Sequence, residues 1–395
     1  MTTKLTRIRN LFYLQQFTAN CMVIFPYYAI MFSERSHLST LEISVLFGWW
    51  TLVAFISELP TGTLADKFSR RFVIILSNIL RASAFLAWLF IPTFIGYAFG
   101  FLLWGISFAL NSGAFQAYLY DELKAENKNH EFTKIFGRSQ SMGLLGMIAA
   151  YIVATIIGPN YSLALILSIA VSLVSAYTAY LFPLPAKIDE DTNNPSQFEL
   201  LKMALSEVSK SKLLIRLVLT ISIVNTISAT MEEYVPLYDK MVGVPVPFVP
   251  LVLIIGMSLA AAINWYAHHF ETKAKLFWLL IISVAGITLF FTSYGDTVTA
   301  VAGIIVFMRL INLSLLIFQS KLQHYIDSKS RATVGSLPTF ISELLFLGFV
   351  AMYGIIAELY GDFASIRFVA LGTFIMGILL VFYWRGYQFT NKLAD

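Results

Sequence analysis

The chain of 395 residues has few charges and almost no cysteine. Charged residues make up 13% of it, whereas a typical soluble domain has about 25%. The single cysteine, Cys21, excludes an internal disulfide and a cysteine-rich metal site. His268 and His269 are adjacent and point to different helical faces, so they do not make a metal site. We therefore expect neither a metal nor a cofactor.

Several functional motifs are missing as well. No G-x-x-x-x-G-K-[ST] pattern occurs, so ATP hydrolysis is not indicated. No H-E-x-x-H motif and no T-V-G-Y-G channel filter occur. The net charge of +4 reflects cations kept on one side of a membrane, and no nucleic-acid partner is expected.

Long apolar runs dominate the chain, and 58% of its residues are hydrophobic. Each run is long enough to cross about 30 Å of hydrocarbon as a helix. The runs do not alternate apolar with polar residues, which argues against a β-barrel. We predict an all-α protein of the lipid bilayer with twelve transmembrane helices. The predicted spans are 9–33, 40–65, 71–91, 95–122, 133–158, 161–183, 213–238, 246–268, 275–293, 298–323, 332–358 and 363–386.

One long polar gap divides these spans into two sets of six. We predict an N-terminal bundle at 1–184, a cytoplasmic linker at 185–212 and a C-terminal bundle at 213–395. Most of the 27 lysines and arginines fall in gaps that lie on the same side of the membrane as the N-terminus. Because cytoplasmic loops retain cations, both termini are predicted to be cytoplasmic.

The densest charges lie in a short gap, "ELPTGTLADKFSRR" at 58–71. Gly62 allows two helices to approach closely, and Asp66 can accept hydrogen bonds at a helix N-terminus. Arg70 can pair with Asp121 at the inner end of the fourth span. A solvated cationic loop is the simpler alternative.

"GTLADKFSRR" resembles the loop signature of the major facilitator superfamily, roughly G-x-L-A-D-r-x-G-R-R, although Ser69 replaces a usual glycine. "SGAFQAYLYDELK" (112–124) and "SRATVGSLPTF" (330–340) resemble a bacterial branch with many drug and metabolite exporters. An acidic residue is common there at the position of Gln116. The resemblance implies a monomeric, multi-pass transporter of the bacterial cytoplasmic (inner) membrane, with two six-helix bundles. It also implies a cytoplasmic gate at Gly62, Asp66, Arg70, Arg71 and Asp121.

Four ionisable residues stand out inside the predicted spans, where such groups are costly and are functional candidates. Glu58 and Arg81 lie equally far from the turn between the second and third spans, so they share one depth and can pair. Arg309 and Glu343 repeat this arrangement around the turn between the tenth and eleventh spans.

A carboxylate whose partner moves away can bind a proton, because desolvation disfavours its charged form. We therefore predict proton coupling at Glu343, Glu58 and Glu233, while structural ion pairing of Arg81 and Arg309 remains the alternative. Glu232 and Glu233 near the outer end of the seventh span either line an exposed mouth or titrate.

Amide and aromatic side chains share a face on the first, fourth, seventh and tenth spans. On the tenth, Arg309, Asn312, Gln319 and Gln323 have helical spacing, and lipid would not satisfy such a face. In the superfamily these four helices line the central cavity. The predicted solute contacts are Tyr13, Gln16, Asn20, Asn111, Phe115, Gln116, Asn225, Arg309, Asn312 and Gln319. For each amide the alternative is an interhelical hydrogen bond.

We predict proton-driven export of a small amphipathic solute, such as a drug, siderophore or metabolite, by alternating access. The G-P-x-x-G-G signature of antiporters in this superfamily is missing from the fifth span, which leaves export and import open. The alternatives are proton-coupled uptake of a polar nutrient and a lipid flippase. A membrane enzyme would need a clustered His/Asp/Glu set, which the sequence lacks, and a receptor would signal without flux.

Overall fold

The computed structural model consists of α-helices joined by mostly short connections. It describes residues 3–67, 69–184, 197–266, 269, 275–326 and 331–385, and no β-strand occurs in these ranges. For 3–4, 59–67, 197–201, 275 and 331–333 the backbone alone is described.

Fourteen α-helices and two short 3₁₀ helices occur in the described part of the chain. The first seven are α1 (Thr3–Asn20), α2 (Tyr28–Ser36), α3 (Thr40–Lys67), α4 (Arg70–Phe90), α5 (Phe94–Ala125), α6 (Phe132–Ile157) and α7 (Tyr161–Tyr180). The others are α8 (Gln197–Ser209), α9 (Lys212–Met241), α10 (Val249–Tyr266), α11 (Lys275–Thr292), α12 (Thr297–Tyr325), α13 (Arg331–Tyr360) and α14 (Asp362–Tyr383). The 3₁₀ helices are η1 (Asn129–Glu131) and η2 (Val246–Phe248).

Ten helices in the described ranges are long and apolar enough to cross a membrane. They are α3 to α7, α9, α10 and α12 to α14. Helix α11 is apolar over Leu276–Thr292 but shorter. The chain is therefore a multi-pass membrane protein.

The first predicted span, 9–33, is not a single helix. Helix α1 ends at Asn20, and α2 begins only at Tyr28. Pro26 lacks a backbone N–H and disfavours helical geometry at the preceding residue, which explains the break. The N–H of Ile24 donates instead to Oγ of Ser168 on α7 at 3.0 Å. The break therefore leaves this amide satisfied inside the protein.

The contacts divide the chain into two compact units. Unit 1 comprises Met1–Gln197 and Pro236–Ile255, and unit 2 comprises Phe198–Val235 and Gly256–Asp395. One boundary falls inside α9, directly before Pro236. The division into 1–184 and 213–395 stays a prediction. Of the predicted linker, 185–196 lies outside the described residues, and α8 occupies most of the rest.

In unit 1, α5 packs against both α3 and α4, and α4 also packs on α7. Helices α3 and α4 themselves make little contact. The core joins α1, α5 and the end of α7, and the rings of Phe12 and Phe115 stack with centroids 3.9 Å apart. In unit 2, α11 packs on α12 and α14, and α13 packs on α14, whereas α12 and α13 barely touch.

Helices α1 and α6 approach closely at Gly146. A Cβ atom added there would lie 2.2 Å from the backbone oxygen of Phe17, so no side chain fits unless a helix shifts. The glycine thus sets the distance between α6 and α1, the helix that carries the predicted site residues Tyr13, Gln16 and Asn20.

We expect Gly146→Ala to lower the melting temperature of the purified protein, because the two helices must separate. Gly113→Ala on α5 is the matched control, since a Cβ there meets no atom within 4 Å. It should leave the melting temperature unchanged or raise it, because alanine favours a helix over glycine by about 1 kcal/mol. Equal melting temperatures for both variants would contradict this close approach.

Candidate functional site

Four polar residues of α9 and α12 meet inside unit 2. The Ser228 hydroxyl donates to Oδ1 of Asn312 at 2.5 Å and lies 3.3 Å from Oε1 of Glu232. Asn312 also hydrogen-bonds Glu232, and the charges of Glu232 and Arg309 interact. We call Ser228, Glu232, Arg309 and Asn312 the α9–α12 cluster. It combines a hydroxyl, an amide, an anion and a cation at one place.

Arg309 keeps unused hydrogen-bonding capacity within this cluster. Its Nε atom is buried and has no hydrogen-bond partner among the described residues. A buried donor without a partner costs about 1–3 kcal/mol. The side chain of Glu232 is exposed, whereas those of Arg309 and Asn312 are half-buried. The cluster is thus open on one side, and a ligand with an acceptor group would satisfy Arg309.

The predicted pairing of Arg309 with Glu343 stays a prediction. The carboxylate that interacts with Arg309 is Glu232 of α9, and Glu343 lies half-buried on α13. The two predicted partners share a depth, but α12 and α13 barely touch.

The predicted pairing of Glu58 with Arg81 also stays a prediction. Arg81 donates to Oδ1 of Asn78, one turn earlier on α4, at 2.5 Å. Its Nε atom is buried without a partner in the described part of the chain. Glu58 is half-buried on α3, which packs on α5 rather than on α4.

Asn225 takes part in a bonded interface between α9 and α13. Its amide donates to Oγ of Ser342 at 2.8 Å, and Thr226 and Ser222 donate to the carbonyls of Ser342 and Pro338. Such bonds hold helices together in a membrane. Asn225 thus forms the interhelical hydrogen bond that was the alternative to a solute contact.

In unit 1, Gln16 and Asn20 lie where α1 meets α6. The amide of Gln16 donates to Oε1 of Gln140 at 2.6 Å, and Asn20 donates to the carbonyl of Gln16 at 2.8 Å. The hydroxyl of Tyr13 and Oδ1 of Asn111 are buried without a hydrogen-bond partner among the described residues. Tyr13 and Asn111 thus each have a hydrogen-bonding atom that bonds to no described protein atom.

Three other predicted solute contacts and the predicted proton-coupling residue Glu233 differ in burial. Phe115 is buried in the core, where its ring stacks on that of Phe12, and its role as a solute contact stays a prediction. Its helix has aromatic residues on more than one face, and the sequence did not show which face the core would take. Gln116 and Gln319 are exposed, and Glu233 is half-buried.

The predicted gate region contains an ion pair between Arg70 and Asp121, which joins α4 to α5. Arg71 donates to the carbonyl of Tyr180 at 2.5 Å and lies over its ring, 4.9 Å from the centroid. Ser69 caps α4 by accepting from the N–H of Phe72 at 3.3 Å. Helix α3 runs through Gly62 and Asp66, but side-chain contacts there lie outside the described residues. The gating role stays a prediction.

A scan against protein families places the chain. The Major Facilitator Superfamily model matches residues 14–347. This chain belongs to the Major Facilitator Superfamily. Its members are transporters, not enzymes. No group of three metal-binding side chains occurs in the described ranges.

Solved structures of other superfamily members share this fold. The nucleoside transporter NupG superimposes with a TM-score of 0.76 at 16% identity, over 98% of this chain and 100% of its own. A D-xylose–proton symporter gives 0.72 at 14%, over 98% of both chains. A POT family transporter in complex with 5-aminolevulinic acid gives 0.69 at 11%, over 96% and 95%. No curated protein sequence matches the chain. At such identities the likeness shows the fold alone.

Two residues of these polar sites, Ser228 and Gln140, were not predicted from the sequence. Ser228 and Glu232 are spaced i, i+4, and Arg309 and Asn312 are spaced i, i+3, so each pair shares a helical face. That spacing would have singled out Ser228. Gln140 gave no comparable signal, because its partner Gln16 is 124 residues away.

We expect Glu232→Gln and Arg309→Gln to change the melting temperature non-additively, because each removes one partner of the same charge pair. The combination of Glu343→Gln with Arg309→Gln should be closer to additive, because the charge that acts on Arg309 in the described structure is that of Glu232. Thermal unfolding of the single and double variants in detergent measures both cycles. A larger coupling for Glu343 than for Glu232 would reverse our assignment.

Proposed function

We propose that this protein is a proton-driven secondary transporter that exports a small amphipathic solute with hydrogen-bond acceptors by alternating access. The main support is the α9–α12 cluster, where the buried Nε of Arg309 lacks a partner among the described residues. An acceptor oxygen of a solute would fill this position, and an anionic group would gain most. Asn312 and Ser228, whose Oδ1 and Oγ atoms lie 2.5 Å apart, offer further polar groups to the solute.

The proposal includes a topology of twelve spans with both termini in the cytoplasm. To the ten candidate spans we add α11, which is apolar but shorter, and the broken pair α1 and α2. The placement of cationic loops supports this orientation. We further propose that the protein works as a monomer in a bacterial cytoplasmic membrane.

Proton coupling in this proposal rests on carboxylates within membrane-spanning helices. Glu58, Glu233 and Glu343 are all half-buried, on α3, α9 and α13. Carboxylates in such surroundings exchange protons when their environment changes. The gate residues Arg70 and Asp121 would limit access on the cytoplasmic side.

Proton-coupled uptake of a polar nutrient is the second candidate. Two similar folds belong to a nucleoside transporter and a D-xylose–proton symporter. Those solutes carry many hydroxyl groups, and the hydroxyl, amide and carboxylate of the α9–α12 cluster suit them. The cation of Arg309 suits an anionic solute better, so export of an amphipathic acceptor-bearing compound is our first proposal.

The test uses sealed membrane vesicles of both orientations with an imposed pH gradient. Carboxyfluorescein, uridine and D-xylose serve as probes, because they separate an anionic amphipathic solute from two polyhydroxylated ones. We expect accumulation of carboxyfluorescein in inverted vesicles with an acidic interior. Arg309→Ala should reduce it about tenfold or more, because losing a partly buried cation contact costs at least about 1.4 kcal/mol.

Arg385→Ala is the control, since Arg385 is exposed near the end of the described chain and lies outside the cluster. Accumulation of uridine or D-xylose in right-side-out vesicles would favour the uptake candidate. Flux that does not respond to the pH gradient would reject proton coupling. No flux of any probe, together with no thermal stabilisation by any of them, would contradict the proposed solute class.

A further inference from the structure

Asp239 is a fully buried carboxylate near the end of α9. Its exposed fraction is 0%, and both of its oxygens lack a hydrogen-bond partner among the described residues. Its α9 neighbours Leu237 and Tyr238 are also buried. An ionised carboxylate in such surroundings would cost more free energy than a typical protein has in reserve. The side chain therefore carries a proton in this conformation.

The charged neighbours of Asp239 are engaged with one another. The ammonium of Lys240 lies 2.9 Å from Oε1 of Glu34 on α2, and the Tyr161 hydroxyl of α7 lies 2.5 Å from Oε2 of Glu34. We call Glu34, Tyr161 and Lys240 the α2–α9 clasp. Both oxygens of Asp239 lack a hydrogen-bond partner among the described residues, so the Lys240 ammonium does not bond to them. Lys240 thus leaves its sequence neighbour without a counter-charge.

The Glu34 carboxylate of the clasp is ionised around neutral pH. Burial by itself would raise the pKa of Glu34, but the Tyr161 hydrogen bond and the hydrogen bond and charge of Lys240 lower it below its ordinary value. Tyr27 adds a contact beside the clasp, because its hydroxyl lies 3.0 Å from the Ala154 carbonyl and 3.4 Å from that of Pro247. These bonds hold the end of α9, which carries Asp239, against the helices of unit 1.

A proline separates this end of α9 from the rest of the helix. Pro236 has no N–H, so the carbonyl of Glu232 receives no helical hydrogen bond from it. The boundary between units 1 and 2 falls directly before the same residue. The segment with Asp239 and Lys240 can therefore bend independently of the segment that carries Glu232.

We propose that Asp239 is a proton-binding site of this transporter, covered by the α2–α9 clasp and opened by bending at Pro236. When the clasp breaks, water reaches the carboxylic acid, its O–H bond breaks, and the proton passes to water and leaves a carboxylate. Closure reverses these steps. The role in transport rests on the proposed function, whereas protonation of Asp239 does not.

Infrared spectroscopy of the purified protein tests the protonation directly. At neutral pH the wild type should show the carbonyl band of a protonated carboxyl group, and Asp239→Asn should lose it. Asp296→Asn is the matched control, because Asp296 is an exposed N-cap residue and asparagine caps a helix equally well. Identical carboxyl bands in the wild type and Asp239→Asn would overturn the proposal.

An isotope label keeps the test valid if Asp239→Asn does not fold. Wild-type protein with ¹³C in its aspartate carboxyl groups should show a shifted protonated-carboxyl band. If that band does not shift, no aspartate of the protein is protonated, and the proposal fails.

The clasp is tested by Glu34→Gln, which removes the negative charge that binds Lys240. We expect the protonated band of Asp239 to disappear at a lower pH in this variant, because water reaches the site more readily. An unchanged titration would show that the clasp does not cover Asp239. These measurements involve no transport, so a negative infrared result for Asp239 would leave the result of the vesicle experiment unchanged. Conversely, flux that does not depend on protons would leave Asp239 protonated but without a role in coupling.

Discussion

Lipid offers no hydrogen bonds, and this constraint governs where every polar group of the chain lies. It explains why the broken first span is tolerated, since Ser168 accepts the N–H of Ile24. It also explains the bonded interface of Asn225 with Ser342. Against this background, the partnerless Nε of Arg309 and the partnerless oxygens of Asp239 stand out among the described residues. Groups of this kind are costly in a membrane and indicate function.

The class of fold could be predicted from the sequence, because each membrane-spanning segment is recognised by the length of its own apolar run and by the cations in the loops beside it. It did not predict which helices are neighbours. Glu58 and Arg81 share a depth, but α4 packs on α5 and α7 rather than on α3. Arg309 likewise meets Glu232, a residue of α9 that the depth argument did not single out. Depth follows from counting residues along a helix, whereas adjacency depends on packing that a single sequence does not contain.

The candidate site was predictable to the extent that its residues are spaced along one helix. The i, i+3 spacing of Arg309 and Asn312 places them together, and the structure keeps them together in the α9–α12 cluster. The pair of Arg70 and Asp121 was predicted from a motif, and the structure contains it. Phe115 shows the limit, because an aromatic face suits a cavity and a core equally well, and here it stacks on Phe12.

Helix α9 connects the two groups on which our proposals depend. Glu232 lies one turn before Pro236, and Asp239 lies one turn after it. Because the proline leaves the Glu232 carbonyl without its helical partner, bending at this point costs less than it would in an unbroken helix. A ligand that holds Glu232 and Arg309 in place restrains the segment before the proline, while protonation of Asp239 favours burial of the segment after it. Solute and proton would then act on opposite sides of one hinge, and this is how a single helix can couple them without direct contact.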